Sequence, residues 1–248
     1  MIMKEIVAVI PARGGSKSIP KKNLYPILGK PLIYWTIKQA KESKFINRVI
    51  VSTDDEMIKK VSLRYGAEVP FMRPKKISGD KSTDLEVFKH VIEYFQVKEK
   101  SSPYLLVHLR PTGPARLVSI IDKAISKMLK NMKYDSLRSV SLALQTPYKM
   151  WFIKNNAMTQ VLKLKNKKES HSMPRQQLPK VFWQNGYVDI VKPTTIIKKD
   201  SMVGKKVLSY IIDNDVFEID YYDDIPKAES EMKSINTINK KKEKKFSV

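Results

Sequence analysis

Short runs of aliphatic and β-branched residues recur along the first two thirds of the chain. They alternate with longer stretches in which apolar positions return every three or four residues. Ile6 to Ile10, Arg48 to Thr53, Tyr104 to Leu109 and Ser136 to Leu144 have the near-continuous apolar character of strands covered on both faces. Pro31 suits the first turn of a helix that carries Leu32, Ile33, Trp35, Thr36 and Ile37. Asp54 to Tyr65 reads as a second helix, stopped by Gly66. Thr83-Asp84-Leu85-Glu86 forms a capping-box pattern ahead of Val87, Val91, Ile92 and Phe95, and Leu117 to Leu129 repeats the helical period. The order β-α-β-α predicts an α/β fold with a mostly parallel sheet covered by helices.

That rhythm breaks after Leu144. Residues 145 to 182 hold few apolar runs, a basic stretch (KLKNKKES) and the start of a Pro/Gln-rich piece (MPRQQLPKVFWQNG). A plain loop of this length inside a compact domain is uncommon, so the segment reads as a lid or an intersubunit arm. Strand-like segments resume at Tyr187 to Val191, Val207 to Ile212 and Val216 to Ile219. Asp223 and Asp224 suit the acidic first turn of a last helix. The pattern predicts one folded unit over residues 1–232 and a basic, disordered tail over 233–248.

Composition narrows the chemistry. The 248 residues contain no cysteine, which excludes disulfides, thiolate metal sites and a cysteine nucleophile. His90, His108 and His171 lie far apart and outside any metal-ligand spacing. The apolar run at the N-terminus ends at Pro11 and is too short for a signal peptide or a membrane span, which points to a soluble, cytoplasmic protein. A formal net charge of +22 invites a nucleic-acid partner, yet the lysines are scattered, which is the pattern of a solvated surface. The eight arginines are more selectively placed. Arg13, Arg73, Arg110, Arg116 and Arg175 fall in Gly/Pro-punctuated segments, where a planar cation would face an anion.

The first predicted strand runs into ARGGSKSIPKKN, residues 12 to 23, at the sheet edge where open α/β folds bind ligands. Gly14 and Gly15 let the backbone turn and present N–H groups, Ser16 adds a hydroxyl, and Arg13, Lys17, Lys21 and Lys22 supply charge. The loop matches neither the Walker pattern nor the dinucleotide glycine pattern. On composition alone it is either a polyphosphate cradle or a flexible basic loop.

The string IPARGGSKSIPKKN, followed in order by GKPLIYWTI, VIVSTDD, YGAEVPFMRP, LRPTGPAR, PRQQLP, NGYVDI and EIDYYDD, resembles the acylneuraminate cytidylyltransferases over about residues 4 to 230. The resemblance implies a Rossmann-like nucleotide-diphospho-sugar transferase fold, with 145 to 182 as the inserted dimerisation arm of a homodimer. It implies transfer of CMP from CTP to a nonulosonic acid with release of pyrophosphate, assisted by Mg²⁺. Legionaminic, pseudaminic or Kdo-type acids are the alternative acceptors.

Carried over by position, the resemblance implies that Ala12, Arg13, Gly14, Ser16, Lys17, Lys22 and Asn23 hold the triphosphate and ribose, with Arg13, Lys17 and Lys22 assisting the reaction. Arg73, Ser82 and Asp84 correspond to the cytosine-reading segment. Arg110 stands where family members carry a glutamine that touches the sugar, and it could pair with the sugar carboxylate or with an added substituent. Lys149 and Arg175 match positions that clamp the sugar acid's carboxylate from the partner subunit, and Gln176 and Asn185 complete the sugar-binding set. Glu218 and Asp220, projecting to one face of a predicted strand, would share the cation, although the family usually has Asp at both positions.

Overall fold

The computed structural model describes residues 4–213 and 216–245, the stretch 236–245 as helix backbone. Its framework is a six-stranded sheet in the order β10-β6-β9-β5-β1-β4. In chain order the strands are β1 (Ile6–Pro11), a small hairpin of β2 (Pro26–Ile27) and β3 (Lys30–Pro31), β4 (Arg48–Ser52), β5 (Leu105–His108), β6 (Ser136–Leu142), a second hairpin of β7 (Trp151–Lys154) and β8 (Ala157–Gln160), β9 (Phe182–Val191) and β10 (Val207–Ile211). The helices are α1 (Leu32–Glu42), α2 (Glu56–Arg64), α3 (Asp84–Val97), α4 (Val118–Leu129), α5 (Pro193–Lys199) and α6 (Asp224–Lys245).

Strand β1 pairs in parallel with β4 on one side and β5 on the other, and β10 pairs in parallel with β6. Strand β9 runs antiparallel between β5 and β6. Successive crossovers leave β1 in opposite directions, so its carboxyl edge is the switch point at which such sheets open a crevice. The alternation in β1 makes it central. Ile6, Ala8 and Ile10 pack with Ile33, Ile37, Ile121 and Ile125, whereas Val7 and Val9 pack with Val87, Phe88, Val91 and Ile92 of α3. Both sheet faces are thereby covered.

Helix ends follow the sequence signals. Thr83 caps α3 by accepting from the Glu86 backbone N–H at 3.3 Å, while Glu86 accepts from the Thr83 N–H at 2.7 Å. Asp55 caps α2 by accepting from Ile58 N–H at 2.9 Å, and Gly66, at a φ of +80°, follows its end.

Four features differ from the sequence reading. Strand β9 begins at Phe182, before Tyr187, and meets β6 through a register shift between Arg138 and Val140. Helix α5 follows Pro193 at its first turn. The segment expected as a strand over 216 to 219 is not one. The edge positions of the sheet belong to β4 and β10, and the segment instead crosses the carboxyl edge, with Ile219 N–H donating to Thr112 C=O at 2.7 Å. Finally, α6 carries its backbone past residue 233 and through the basic run expected to be disordered, as lysine and glutamate, both good helix formers, permit. Among the described residues no helix is long and apolar enough to cross a membrane.

A smaller apolar cluster links the loop after β1 to the last helix. Ile19, Ile27 and Leu32 pack there with Ile219, Ala228 and Met232. Ile19 has no exposed surface, so Ile19→Ala is expected to lower the unfolding free energy by about 2 to 4 kcal/mol through lost burial and a cavity. Urea denaturation measures this, and an unchanged midpoint would contradict the anchoring role of the cluster.

Candidate active site

The loop leaving β1 is fixed from beneath by its own backbone. Ala12 N–H donates to Ser52 C=O at 2.9 Å, continuing the β1–β4 pairing, and Gly14 N–H donates to Asp54 Oδ1 at 2.9 Å. A side chain at Gly14 would lie 2.9 Å from the Asp55 Cβ, so the position requires glycine because Asp55 presses against it. Asn23 closes the turn, donating from Nδ2 to Arg13 C=O at 2.9 Å.

Above this support the loop's cations face a cleft of 460 Å³. Arg13, Ser16, Lys17, Lys22, Asn23, Arg73, Ser82, Asp84 and Arg110 all line it, together with His108, Asp80 and Thr112. Two bridges alongside β4, Ile50 with Glu68 and Thr53 with Met72, bring the chain to Arg73. Arg73 is buried. It donates from Nη2 to Ser52 C=O at 2.6 Å, and its Nε has no partner among the described residues. Burial lowers the affinity of its guanidinium for the proton, partly offset by Asp54 and, more weakly, Asp84.

Arg13, Lys17, Lys22 and Arg110 each meet a carboxylate. Asp80 takes Arg13 Nη1 at 2.8 Å and Lys17 Nζ at 2.5 Å, and hydrogen bonding from Lys17 is the main cause that holds its carboxyl below the usual range. Lys22 Nζ donates to Ile219 C=O at 3.0 Å and to Asp220 Oδ1 at 3.0 Å, so the crossing segment is latched to the loop. Arg110 bonds Asp189 Oδ2 at 3.1 Å and Asp84 Oδ2 at 3.2 Å. Burial opposes its charge, but Asp189 and Asp84 outweigh that effect and raise its pKa. Asp189 is fully buried and also receives Arg138 Nη1 at 2.9 Å and Gln184 Nε2 at 2.9 Å. Because its charge is already matched twice, Arg110 is not the free receptor for a sugar carboxylate that its sequence position suggests.

Glu218 and Asp220 are not set by strand alternation. Glu218 sits against Gly186, where an added Cβ would fall 2.7 Å from Oε1 and 3.1 Å from Arg110 Nη1, whereas Asp220 is exposed beside Lys22. Burial pushes the Glu218 carboxyl up, Arg110 and Arg116 pull it down, and the neighbouring charges of Asp220 and Asp189 add to the rise. The described residues contain no group of three or more metal-ligating side chains. Neither Glu218 nor Asp220 is among the residues that line the cleft: Glu218 borders a separate small recess with Gly113, Gly186 and Tyr187, and Asp220 meets the cleft through Lys22. Two carboxylates that repel each other nevertheless suit magnesium, which takes one or two protein carboxylates and completes its shell with other oxygens and water.

Other expected residues lie elsewhere. Ala12 is buried in the main core. Gly14 is outside the lining of the cleft, and its N–H is spent on Asp54. Arg175 and Gln176 border a separate 290 Å³ hollow beside Leu142 and Thr146, and Lys149 ends a 3-10 turn on the arm. Asn185 is buried, donating to Ser141 Oγ on β6 at 2.8 Å and accepting from Tyr187 N–H at 3.2 Å, so its side chain ties β9 to β6. Arg116, expected to face an anion, instead organises the turn after β5 by donating to the carbonyls of Tyr187 at 2.6 Å, Arg110 at 2.7 Å and Gly113. Asp80, Asp189 and His108 were not legible as site residues from composition. For His108 a signal exists, since it stands two positions before Arg110 in an apolar run, and alternation puts both on one face.

Comparison with known proteins places these features in context. A family model described as cytidylyltransferase matches residues 7–236. The chain is 30% identical over 219 residues to the CMP-N,N'-diacetyllegionaminic acid synthase of Campylobacter jejuni, covering 88% of this chain and 91% of that one. It is 39% identical over 125 residues to the pseudaminic acid cytidylyltransferase of the same species, an alignment that spans about half of each protein, 50% and 53%. Among solved structures, CMP:2-keto-3-deoxy-manno-octonic acid synthetase complexed with CTP superposes with a TM-score of 0.68 at 15% identity, covering 93% of this chain and 99% of that one, a likeness of fold.

The buried charge cluster behind the cleft yields a stability test. Asp189→Asn would leave Arg110 and Arg138 sharing a neutral amide, and the expected cost is about 3 to 5 kcal/mol. Chemical denaturation measures it, and a loss below about 1 kcal/mol, the range of an exposed pair, would contradict the role of Asp189 as the buried counter-ion of both arginines.

Proposed function

Because this chain belongs to the cytidylyltransferase family, we propose that it transfers CMP from CTP to the anomeric hydroxyl of a nonulosonic acid and releases pyrophosphate. The observation that carries this reading is the gathering of Arg13, Ser16, Lys17, Lys22 and Arg73 around one cleft at the switch point of the sheet. CTP carries about four negative charges near neutral pH, and a ring of cations and N–H donors both binds it and stabilises charge that builds on departing pyrophosphate.

The division of labour follows the lining. Ser16 and the open backbone at Gly15 present hydrogen-bond groups to phosphate oxygens, and Asn23 ties the loop that carries them. Arg73 and Ser82 line the part of the cleft suited to the nucleoside, and Asp84, bonded to Arg110 at 3.2 Å, stands between that part and the β5 end. Lys22 is the best-placed phosphate cation, because two backbone carbonyls fix its ammonium while its side chain is only 12% exposed. Glu218 and Asp220 would hold a magnesium ion, which when bound neutralises phosphate charge. Catalysis is then chiefly positioning and charge compensation.

The arm supports a second part of the reading. Phe152, Ile153 and Met158 on its hairpin are exposed, as are Leu144 and Trp183 at its base. These residues suit burial against a second copy of the chain, which would carry Lys149, Arg175 and Gln176 towards the partner's cleft. The acceptor is read as a sugar acid of the legionaminic or pseudaminic type, the classes named for the two similar enzymes, with N-acetylneuraminic acid a close analogue.

A pyrophosphate-release assay with CTP and Mg²⁺ across neuraminic, legionaminic, pseudaminic and Kdo acids tests the reaction. Release with one of the nine-carbon acids is expected, and steeply salt-dependent nucleic-acid binding without pyrophosphate release would refute it. Lys22→Ala is expected to reduce kcat by about 100-fold or more. Lys17, 80% exposed, is expected to matter less, and a larger loss in Lys17→Ala than in Lys22→Ala would reverse the assignment.

A further inference from the structure

The floor of the cleft carries a group that the reaction as described does not use. His108, the last residue of β5, has no exposed surface yet lines the cleft beside Thr83, Asp84, Val87 and Arg110. Neither of its ring nitrogens has a hydrogen-bond partner among the described residues. The nearest carboxylate oxygen, Asp84 Oδ2, is 3.8 Å from Nδ1, beyond hydrogen-bond reach. The ring packs edge-on against Phe88, with centroids 5.0 Å apart. A buried N–H and a buried lone pair left unpaired both cost stability, whereas an apolar residue would continue the Leu105, Leu106, Val107 run without that cost.

Charge and mobility distinguish the two ends of the cleft. At the β1 end the carboxylates that hold Arg13, Lys17 and Lys22 are half exposed, with Asp80 at 47% and Asp220 at 59%, and can swing aside for an anionic ligand. At the β5 end Arg110 is held by two carboxylates, Asp84 at 44% exposure and the fully buried Asp189, and Asp189 stays with it even where Asp84 moves. His108 is neutral there, because burial and then the guanidiniums of Arg110, Arg138 and Arg116 disfavour its protonation. A neutral imidazole offers one donor and one acceptor, which matches a hydroxyl or an amide. The β5 end is therefore built for uncharged polar groups, on the opposite side of β1 from the strand that positions Arg73.

We infer that His108 is a specificity-determining residue for the acceptor, its ring hydrogen-bonding a hydroxyl or acylamino group of the sugar acid at the β5 end of the cleft. This role rests on the proposed reaction. The unaltered protein, His108→Leu, His108→Met and His108→Gln are compared for pyrophosphate release. The sugar acids used are pseudaminic, N,N'-diacetyllegionaminic and N-acetylneuraminic acid, varied at saturating CTP, and CTP is then varied at saturating sugar. In the Leu and Met variants kcat/KM for the sugar acid is expected to fall about tenfold while KM for CTP stays within about twofold, the loss of one hydrogen bond. Gln, which keeps a donor and an acceptor, is expected to restore most of the sugar kcat/KM. The thermal midpoint of the Leu variant is expected to equal or exceed that of the parent, an outcome that a merely structural histidine would not give. Unchanged sugar kinetics in the Leu and Met variants, a parallel rise of both KM values, or failure of both apolar variants to fold overturns the role. Absence of pyrophosphate from the unaltered protein with every sugar acid is a different result, since it removes the reaction itself.

Discussion

Mutual repulsion among cations is the constraint around which this molecule is arranged. Arg13, Lys17, Lys22, Arg73 and Arg110 face one cleft, and like charges a few ångströms apart cost about 1 kcal/mol per pair even in water and more where solvent is thin. The fold tolerates them because each has a local answer. Asp80 bridges Arg13 and Lys17, Asp220 and two carbonyls hold Lys22, a strand carbonyl holds Arg73, and Asp189 with Asp84 holds Arg110. The apolar cluster of Ile19, Ile219 and Met232 serves the same end, since it fixes the loop and the crossing segment so that Lys22 and Asp220 stay in register.

How much of this was legible in the sequence depended on whether a residue's neighbours are local. Strands β1, β4 and β5 and helices α1 to α4 announced themselves because both faces of the strands are buried and the helices' apolar positions recur at helical spacing, with side-chain caps at α2 and α3. The capping box at Thr83 is a contact across three residues and needs no tertiary information. Residues 216 to 220 misled because an alternating apolar pattern fits a strand equally well as a segment pinned by Ile219 to a hydrophobic cluster. Only the pairing partners decide between these, and both outer positions of the sheet are taken by β4 and β10.

The site was legible where backbone chemistry dictates it and obscure where charge does. Gly14 and Gly15, the serine and the lysines mark a loop at a sheet edge from composition alone. Asp80 and Asp189 mark nothing by themselves, since acids separated from their arginines by tens of residues show no spacing to read, and Asp84 stood out only through the family resemblance, without its arginine. Arg110 illustrates the cost. In sequence it is an unmatched cation in place of an amide, and in three dimensions it is the exposed end of a buried chain of charges that runs through Asp189 to Arg138 on β6.

That chain separates two ways of compensating a cation, and the separation bears on how one cleft can serve two unlike substrates. A carboxylate at the surface is a loose counter-ion. Solvent weakens its hold, so a ligand carrying several negative charges displaces it at little cost. A carboxylate with no exposed surface cannot leave without exposing a bare charge to the protein interior, so its arginine behaves as a fixed hydrogen-bonding fork. Exposed partners at the β1 end therefore leave cationic charge available to a polyphosphate, and the buried Asp189 at the β5 end keeps Arg110 compensated even where the half-exposed Asp84 moves away. An acceptor acid bound at the β5 end is recognised there by its hydroxyl and amide groups, and its own carboxylate must find cations from outside that wall. The lysine and arginine of the arm, absent from the cleft of their own chain, are cations of the required kind.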